Sequence, residues 1–397
     1  MNPSIQNIYL GAGVRTPIGK FGGALSSLAA VDLGTISAKE TLERAGIDAA
    51  GVDEVIIGTA RQAGLGPNPA RQIGNKSGLP HTVPGFTVNK ACASGLKAII
   101  CAHQSIALEG SNVVLAGGIE SMSNIPYLLT QARWGYRLGN GKVVDANFQD
   151  GYLCPLCDEL MGETAENLAD KYKIPRSASD EFAVMSQQRC HQAQVESRFA
   201  DEIVPVELVD KKHGSRQIST DEHPRSDTTL ETLAKLRPVF REDGTVHAGN
   251  ASGITDGGAT ILVFSEQARD DLGLKPMARV VDYTVAAVDP SLMGIGPVPA
   301  IRKLLKRNKL QLSDIDLIEL NEAFAVQVLA CDRELAFDMD RLNVNGGAIA
   351  LGHPTGCTGT RITVTLLHEM AKRGAALGLA TLCVSGGMGV ALLVERV

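Results

Sequence analysis

The chain has no surplus of positive charge. Its 397 residues carry 38 Lys and Arg against 44 Asp and Glu, a formal net charge of −6, so no basic face is expected for nucleic acid or anionic lipid. Cysteines are too few for a disulfide framework in a chain this long: eight, at positions 92, 101, 154, 157, 190, 331, 357 and 383, each to be read alone. Cys154 and Cys157 form one C-x-x-C, "CPLC", but no second such pair and no His pair at ligand spacing completes a tetrahedral zinc set. No metal is expected there, and two ordinary thiols near a loop are a simpler reading than a redox pair.

Nucleotide motifs are missing as well. In "GAGVRTP" Thr16 takes the third glycine position of the dinucleotide fingerprint, and in "GVRTPIGKF" Phe21 replaces the hydroxyl residue of a P-loop. No G-x-S-x-G serine elbow occurs. The opening lacks the segments of a secretory signal and the end, "ALLVERV", is no peroxisomal address, so a cytoplasmic location is expected. The charge-free run Ala375 to Val394 is long enough to span a membrane, but its glycines, with Thr381, Cys383 and Ser385, favour two buried strands around a Gly turn. No membrane partner is expected.

What is present is α/β alternation. "NIYLGAGV", "VDEVIIGTA", "TVPGFTVN" and "NVVLAGG" read as strands, separated by stretches with apolar residues at helical spacing. That order implies a parallel pairing with helices on the faces. The second half repeats it: "GVDEVIIG" matches "SDIDLIEL", and "NVVLAGG" matches "LATLCVSGG", so a duplicated unit is expected. The expected boundaries are residues 1–120 for the first half, completed by about 247–272, then an inserted loop domain over 121–246, and the second half over 273–397. Long excursions on such scaffolds commonly cover a binding site.

Four side chains stand where chemistry is possible. Cys92, in "VNKACASGLKAI", sits where a strand turns into a helix, and unpaired N–H groups of a first helical turn lower the pKa of a thiol. The alternative is a buried, inert cysteine. His353, in "NVNGGAIALGHPTGCTGTR", holds the matching place in the second repeat, so the two loops are expected to meet and pair a thiol with its base; a satisfied structural histidine is the other reading. Cys383 precedes "VSGGMG", whose backbone suits an oxyanion, and a thiol with an ordinary pKa of about 8.5 suits acid–base work. Asn321 in "NEAFA" is placed to donate a hydrogen bond, with Glu322 to position its neighbours, or simply to cap a helix.

These four blocks, "VNKACASGLKAI", "NEAFA", "NVNGGAIALGHPTGCTG" and "CVSGGMG", resemble the signatures of the thiolases, and the resemblance runs from "RTPIGKFGG" to the last strand. It implies two similar βαβαβαββ halves in a layered α-β-α-β-α core with an inserted loop domain holding coenzyme A. It implies a homo-oligomer, dimer or tetramer, acting on acyl-CoA substrates, with coenzyme A as substrate and no permanently bound cofactor. Carried over, Cys92 is the acyl-accepting nucleophile, His353 its base, and Cys383 the group that moves the α-carbon proton. Asn321 holds a water at the thioester oxygen, and the backbone N–H groups of Cys92 and Ser385 form the oxyanion hole. Coenzyme A falls to Arg225, Thr232, Ala248, Ser252 and Phe324, and Met293 lines the acyl pocket. The activity implied is acetyl-CoA C-acetyltransferase, with a 3-ketoacyl-CoA thiolase of broader chain length as the alternative. A decarboxylating ketoacyl synthase would carry a second histidine where this chain has Cys383.

Two positions depart from the thiolase pattern. Ser385 stands where glycine is usual, strained by about 1 kcal/mol if that position needs positive φ. Leu160 stands where short-chain members commonly carry histidine, after the unusual "CPLCDE".

Overall fold

A computed structural model of the chain describes residues 7–210 and 214–397. The first half contributes β1 (Ile8–Arg15), α1 (Ala30–Ala45), β2 (Glu54–Gly58), β3 (Gly85–Val88), α2 (Ser94–Glu109), β4 (Val113–Ser121) and, after a long excursion, β5 (Thr255–Ser265). The second contributes β6 (Ala278–Ala287), α3 (Pro297–Asn308), β7 (Leu317–Leu320), α4 (Thr355–Arg373), β8 (Leu377–Val384) and β9 (Met388–Arg396). Hydrogen bonding runs in the order β7-β8-β9-β6-β1-β5-β4-β2-β3. Read outward from the seam, β1-β5-β4-β2-β3 answers β6-β9-β8-β7, and a parallel bridge between Ile318 and Leu342 stands beside β7 where β3 stands beside β2. Pairing directions agree too, with β2 parallel to β4 and β7 parallel to β8. The repeat read from the sequence is therefore a structural repeat. In the sheet the halves meet where Tyr9 pairs with Arg279 and Leu10 with Ala278.

Strand periodicity sorts the side chains into layers. In β2, Val55 and Ile57 face a cluster with Val31, Ala38 and Leu42 of α1, whereas Ile56 joins Leu96, Ile99 and Ile106 of α2. In the second half Leu379 and Leu393 face α3, while Leu382 and Leu392 turn inward to the cluster that holds Ile362, Leu366 and Met370 of α4. Helices α2 and α4 thus lie between the sheets and share one core. The run from Ala375 to Val394 is β8, a turn and the start of β9.

Helix α4 is a poor helix former by composition, with Gly356, Gly359 and five threonines among its residues. Each glycine costs about 1 kcal/mol relative to alanine, but each fully buried Ile or Leu contributes about 1.5–3 kcal/mol, so packing prevails. The buried hydroxyls of Thr358 and Thr363 are satisfied by the carbonyls of Pro354 and Gly359 at 2.9 Å. The glycines have a spatial purpose. A Cβ on Gly95 would stand 2.8 Å from the Thr360 nitrogen and 2.9 Å from the Gly356 oxygen, and one on Gly359 would collide with the backbone of Leu96. The first turns of the two central helices therefore touch backbone to backbone. Cys92 and His353 each lie two residues before one of those turns.

The excursion between β4 and β5 carries the helices Met161–Tyr172 and Arg176–Val195. A buried ion pair cluster ties it down: Arg15 at the end of β1 donates to Glu202 at 2.6 Å and to Asp221 at 2.7 Å.

Replacing Gly95 with alanine forces the helix crossing apart, and overpacking of this kind costs about 1–3 kcal/mol. Urea unfolding followed by circular dichroism is expected to show a lower midpoint for Gly95→Ala, with loss of Cys92 reactivity. An unchanged midpoint would show that the crossing has slack.

Candidate active site

Cys92 is delivered by a sharp turn. Ala91 before it has φ of +45°, the left-handed region in a residue with a Cβ, and such strain persists only where surroundings over-determine it. Here the turn is closed by the Ser94 hydroxyl, which accepts from Lys90 N–H at 2.9 Å and donates to Ala91 oxygen at 2.7 Å. Burial raises the Cys92 pKa above its ordinary value; the Ser385 N–H, the Arg61 guanidinium and the residue's own N–H, all favouring thiolate, pull it partly back. The expectation that a helix terminus leaves this thiol acidic is thus corrected. Cys92 lies ahead of the helix, half-buried in the cavity wall, and desolvation outweighs the donors.

His353 follows Gly352, whose φ is +98°, and its N–H donates to the Gly253 oxygen at 3.0 Å. Burial first, then the charges of Arg61 and Arg361, push its pKa down to about 3. The ring is neutral. Thr358 Oγ1 gives its proton to Pro354 oxygen, so it accepts from Nδ1–H of His353 at 2.7 Å. That fixes the tautomer and leaves the Nε2 lone pair free to take a proton. Asn321 Nδ2 approaches Nε2 at 3.4 Å, and its buried Oδ1 has no protein partner among the described residues. Glu322 is spent elsewhere, accepting from Ser186 at 2.7 Å, Asn343 at 2.9 Å and Ile349 N–H at 3.1 Å. It holds the loop and does not face the cavity.

Cys383 ends β8, fully buried. Burial above all, then the neighbouring sulfurs Cys92 and Cys331, raise its pKa well above the ordinary value, so the near-neutral thiol expected from sequence is corrected: the group is a protonated acid at rest. In the turn that follows, the left-handed positions fall on Gly386 at φ +84° and Gly387 at φ +79°, not on Ser385. Serine is therefore unstrained, and its N–H, with the N–H of Cys92 itself, favours negative charge on the Cys92 sulfur.

All three groups open on one cavity of about 590 Å³. Its walls include Met293, Phe324, Ala248, Ser252 and Arg225, with Leu160 and Met161 from the excursion. Thr232 does not reach it; it lines an adjoining cavity with Arg225 and Ala248, and its hydroxyl bonds to the Thr229 oxygen at 2.8 Å. Cys154 lies in the cavity wall's apolar cluster with Met161, Met293 and Cys383, next to Cys157. No cluster of three or more His, Cys, Asp or Glu side chains placed to hold a metal occurs among the described residues.

Residues 8–267 match the family model "Thiolase, N-terminal domain" and residues 274–396 match "Thiolase, C-terminal domain". The chain belongs to the thiolase family. The acetyl-CoA acetyltransferase of Escherichia coli is 52% identical to it over 393 residues, 99% of this chain and all of that one. Among solved structures, acetyl-CoA acetyltransferase from Bacillus anthracis superimposes with a TM-score of 0.96 at 47% identity, covering 99% of each chain. Human mitochondrial 3-ketoacyl-CoA thiolase in complex with CoA does so at 0.95 and 42%, covering 99% of this chain and 98% of that one.

The thiolase site brings together Cys92, His353, Cys383, Asn321 and Ser385 from four separate loops. Three of its neighbours escaped the sequence reading. Arg61, Tyr152 and Thr358 belong to "GTARQAG", "QDGYLCP" and "HPTGCTG", and nothing in their spacing marks them; only the fold carries the first two to the cavity. The resting pair is thus a neutral thiol and a neutral imidazole. Iodoacetamide labelling of Cys92 is expected to accelerate with pH through about 8.5 and beyond, the ordinary thiol value. A rate already level below neutrality would instead indicate a preformed thiolate.

Proposed function

We propose that this thiolase is an acetyl-CoA C-acetyltransferase, joining two acetyl-CoA into acetoacetyl-CoA and free CoA or running the reverse thiolysis through a Cys92 acyl-enzyme. The observation that carries the reading is the convergence of two thiols and one neutral imidazole on one cavity wall, with two backbone N–H groups favouring thiolate at the first sulfur. The full-length likeness to acetyl-CoA acetyltransferases supports the choice of substrate.

The chemistry follows from the geometry. A thioester carbonyl approaches Cys92, and its proton passes to Nε2 of His353 as the sulfur attacks, so charge arises only where donors await it. The N–H groups of Cys92 and Ser385 take the oxygen of the tetrahedral intermediate. Losing one such donor typically costs about a hundred- to a thousandfold in rate. After CoA leaves, a second acetyl-CoA places its thioester oxygen near His353 and Asn321, with Asn321 holding a water there. Cys383, as thiolate once its proton has left with the departing CoA, takes the α-proton, and the carbanion attacks the acyl group on Cys92. In thiolysis the same thiol returns a proton to carbon.

The excursion over 121–246 covers the CoA site, with Arg225 for the charged end of CoA, Ala248, Ser252 and Phe324 along it, Thr232 at its margin, and Met293 against the acyl group. A dimer or tetramer is the proposed assembly. Trp134 at 86% exposure and Leu138 at 97% support a further contact through that segment, since large apolar side chains grouped in water mark association surfaces. A cytoplasmic role in fatty acid metabolism fits this chemistry.

Cys92→Ser is expected to abolish acyl-enzyme formation, seen by mass spectrometry after incubation with acetyl-CoA. Cys383→Ser is expected to acylate normally yet lose condensation by at least about a hundredfold. Normal condensation by the second variant would remove Cys383 from its role, and an acylated Cys92→Ser would sink the whole scheme.

A further inference from the structure

Behind Cys92 the cavity wall holds a buried cation with hydrogen-bonding capacity left over. Arg61 is 2% exposed and lines the cavity. Its Nη1 bonds to Thr355 Oγ1 and its Nε reaches the Asn147 oxygen at 3.5 Å, but its buried Nη2 has no protein acceptor among the described residues. Glu120 does not satisfy it. That carboxylate lies 4.0 Å from Nη1 and already accepts from Thr59 and Thr355 hydroxyls and from the N–H groups of Ala60, Arg61 and Gly356. It lies behind the guanidinium, outside the cavity lining.

Tyr152 repeats the pattern. Its ring lies 5.0 Å from the guanidinium carbon, its buried hydroxyl has no protein partner among the described residues, and it lines the same cavity. Burial pushes its pKa up to about 12, so it is a neutral donor. Gly151 makes the room, since a Cβ there would collide with Nη2. No Asp or Glu is among the cavity's lining residues. Two donors without protein acceptors among the described residues, one charged and forked, side by side in a cavity lined by no carboxylate call for an anionic planar acceptor.

We propose that Arg61 and Tyr152 form a subsite for a carboxylate at the far end of the acyl group carried by Cys92, so that the enzyme cleaves 3-oxoacyl-CoA substrates whose chain ends in a carboxylate. This rests on the thiolase chemistry proposed above and names its substrate class. In the step itself the Cys92 sulfur attacks C3, giving its proton to His353, and the C2–C3 bond breaks. The electron pair left on C2 takes the Cys383 proton, and acetyl-CoA departs. The carboxyacyl group remains on Cys92 until the thiol of CoA takes it; that thiol's proton restores Cys383, and the departing Cys92 sulfur regains its own from His353. The products are acetyl-CoA and a dicarboxylic acid monothioester of CoA.

The test compares 3-oxohexanedioyl-CoA with 3-oxohexanoyl-CoA, equal in chain length and different only in the terminal carboxylate, in thiolysis by the whole enzyme. The expected result is a kcat/KM at least about tenfold higher for the dicarboxylic substrate, since hydrogen bonds to a charged group are worth roughly tenfold to a hundredfold. Arg61→Met and Tyr152→Phe are each expected to lower that ratio, with the change mainly in KM, and Arg61→Lys to restore it only in part. Tyr152→Phe removes a single oxygen and serves if Arg61→Met fails to fold. Turnover of the monocarboxylic substrate with none of the dicarboxylic one overturns the subsite and leaves the thiolase reading standing. An unchanged ratio in the folded variants overturns it too, as does an equal fall for both substrates, which would make Arg61 only a charge stabilising the Cys92 thiolate. Failure to cleave either substrate or acetoacetyl-CoA overturns the thiolase reading itself.

Discussion

The contact between the first turns of α2 and α4 governs the site. Two helices crossing at ordinary distance are separated by side chains, and the loops leading into them are separated likewise. Here Gly95 and Gly359 remove that spacing, and the loops bearing Cys92 and His353 are drawn into one place although 260 positions divide them in sequence. Everything chemical hangs on this approach. Cys383 and Asn321 come to the same end because β7 and β8 are parallel neighbours, so strand ends that follow equivalent courses finish side by side. A thiol from one half, an imidazole from the other and a second thiol from a strand edge meet by topology, and duplication supplies the symmetry.

Electrostatically the site is prepared for charge it does not yet hold. Desolvation keeps both sulfurs protonated and the imidazole neutral, which looks adverse for catalysis until the donors are counted. The N–H groups of Cys92 and Ser385 and the guanidinium of Arg61 all favour negative charge on the sulfur, and in a dry setting each acts at close to full strength. The cost of burying charge is thus met at the moment the reacting bonds reorganise, and not by a standing ion pair.

Much of this was legible in the sequence for physical reasons. Strands buried on both faces leave apolar runs, so "VDEVIIG" and "LATLCVS" announced themselves, and the order of such runs exposed the repeat. Cys92 sits between alanines ahead of Gly95, His353 follows Gly352, and Cys383 precedes Gly386 and Gly387; small residues let backbone pass close to them, and that leaves a trace in local composition. The acidity of the thiols was misjudged because helix termini are visible in sequence and burial is not. Ser385 looked strained because the turn's φ values could not be assigned; Gly386 and Gly387 take them. Arg61 and Tyr152 were invisible because their partnership spans 91 positions and belongs to no pattern of spacing, only to the way the excursion folds back over β2.

Arg15, buried between Glu202 and Asp221, fastens the root of that excursion to the scaffold beneath it. Under the proposed chemistry two coenzyme molecules must visit that covered site in every round, one leaving before the next reacts. The covalent acyl group on Cys92 is then what the protein remembers between visits, and an alternating order of arrival and departure is built into its architecture.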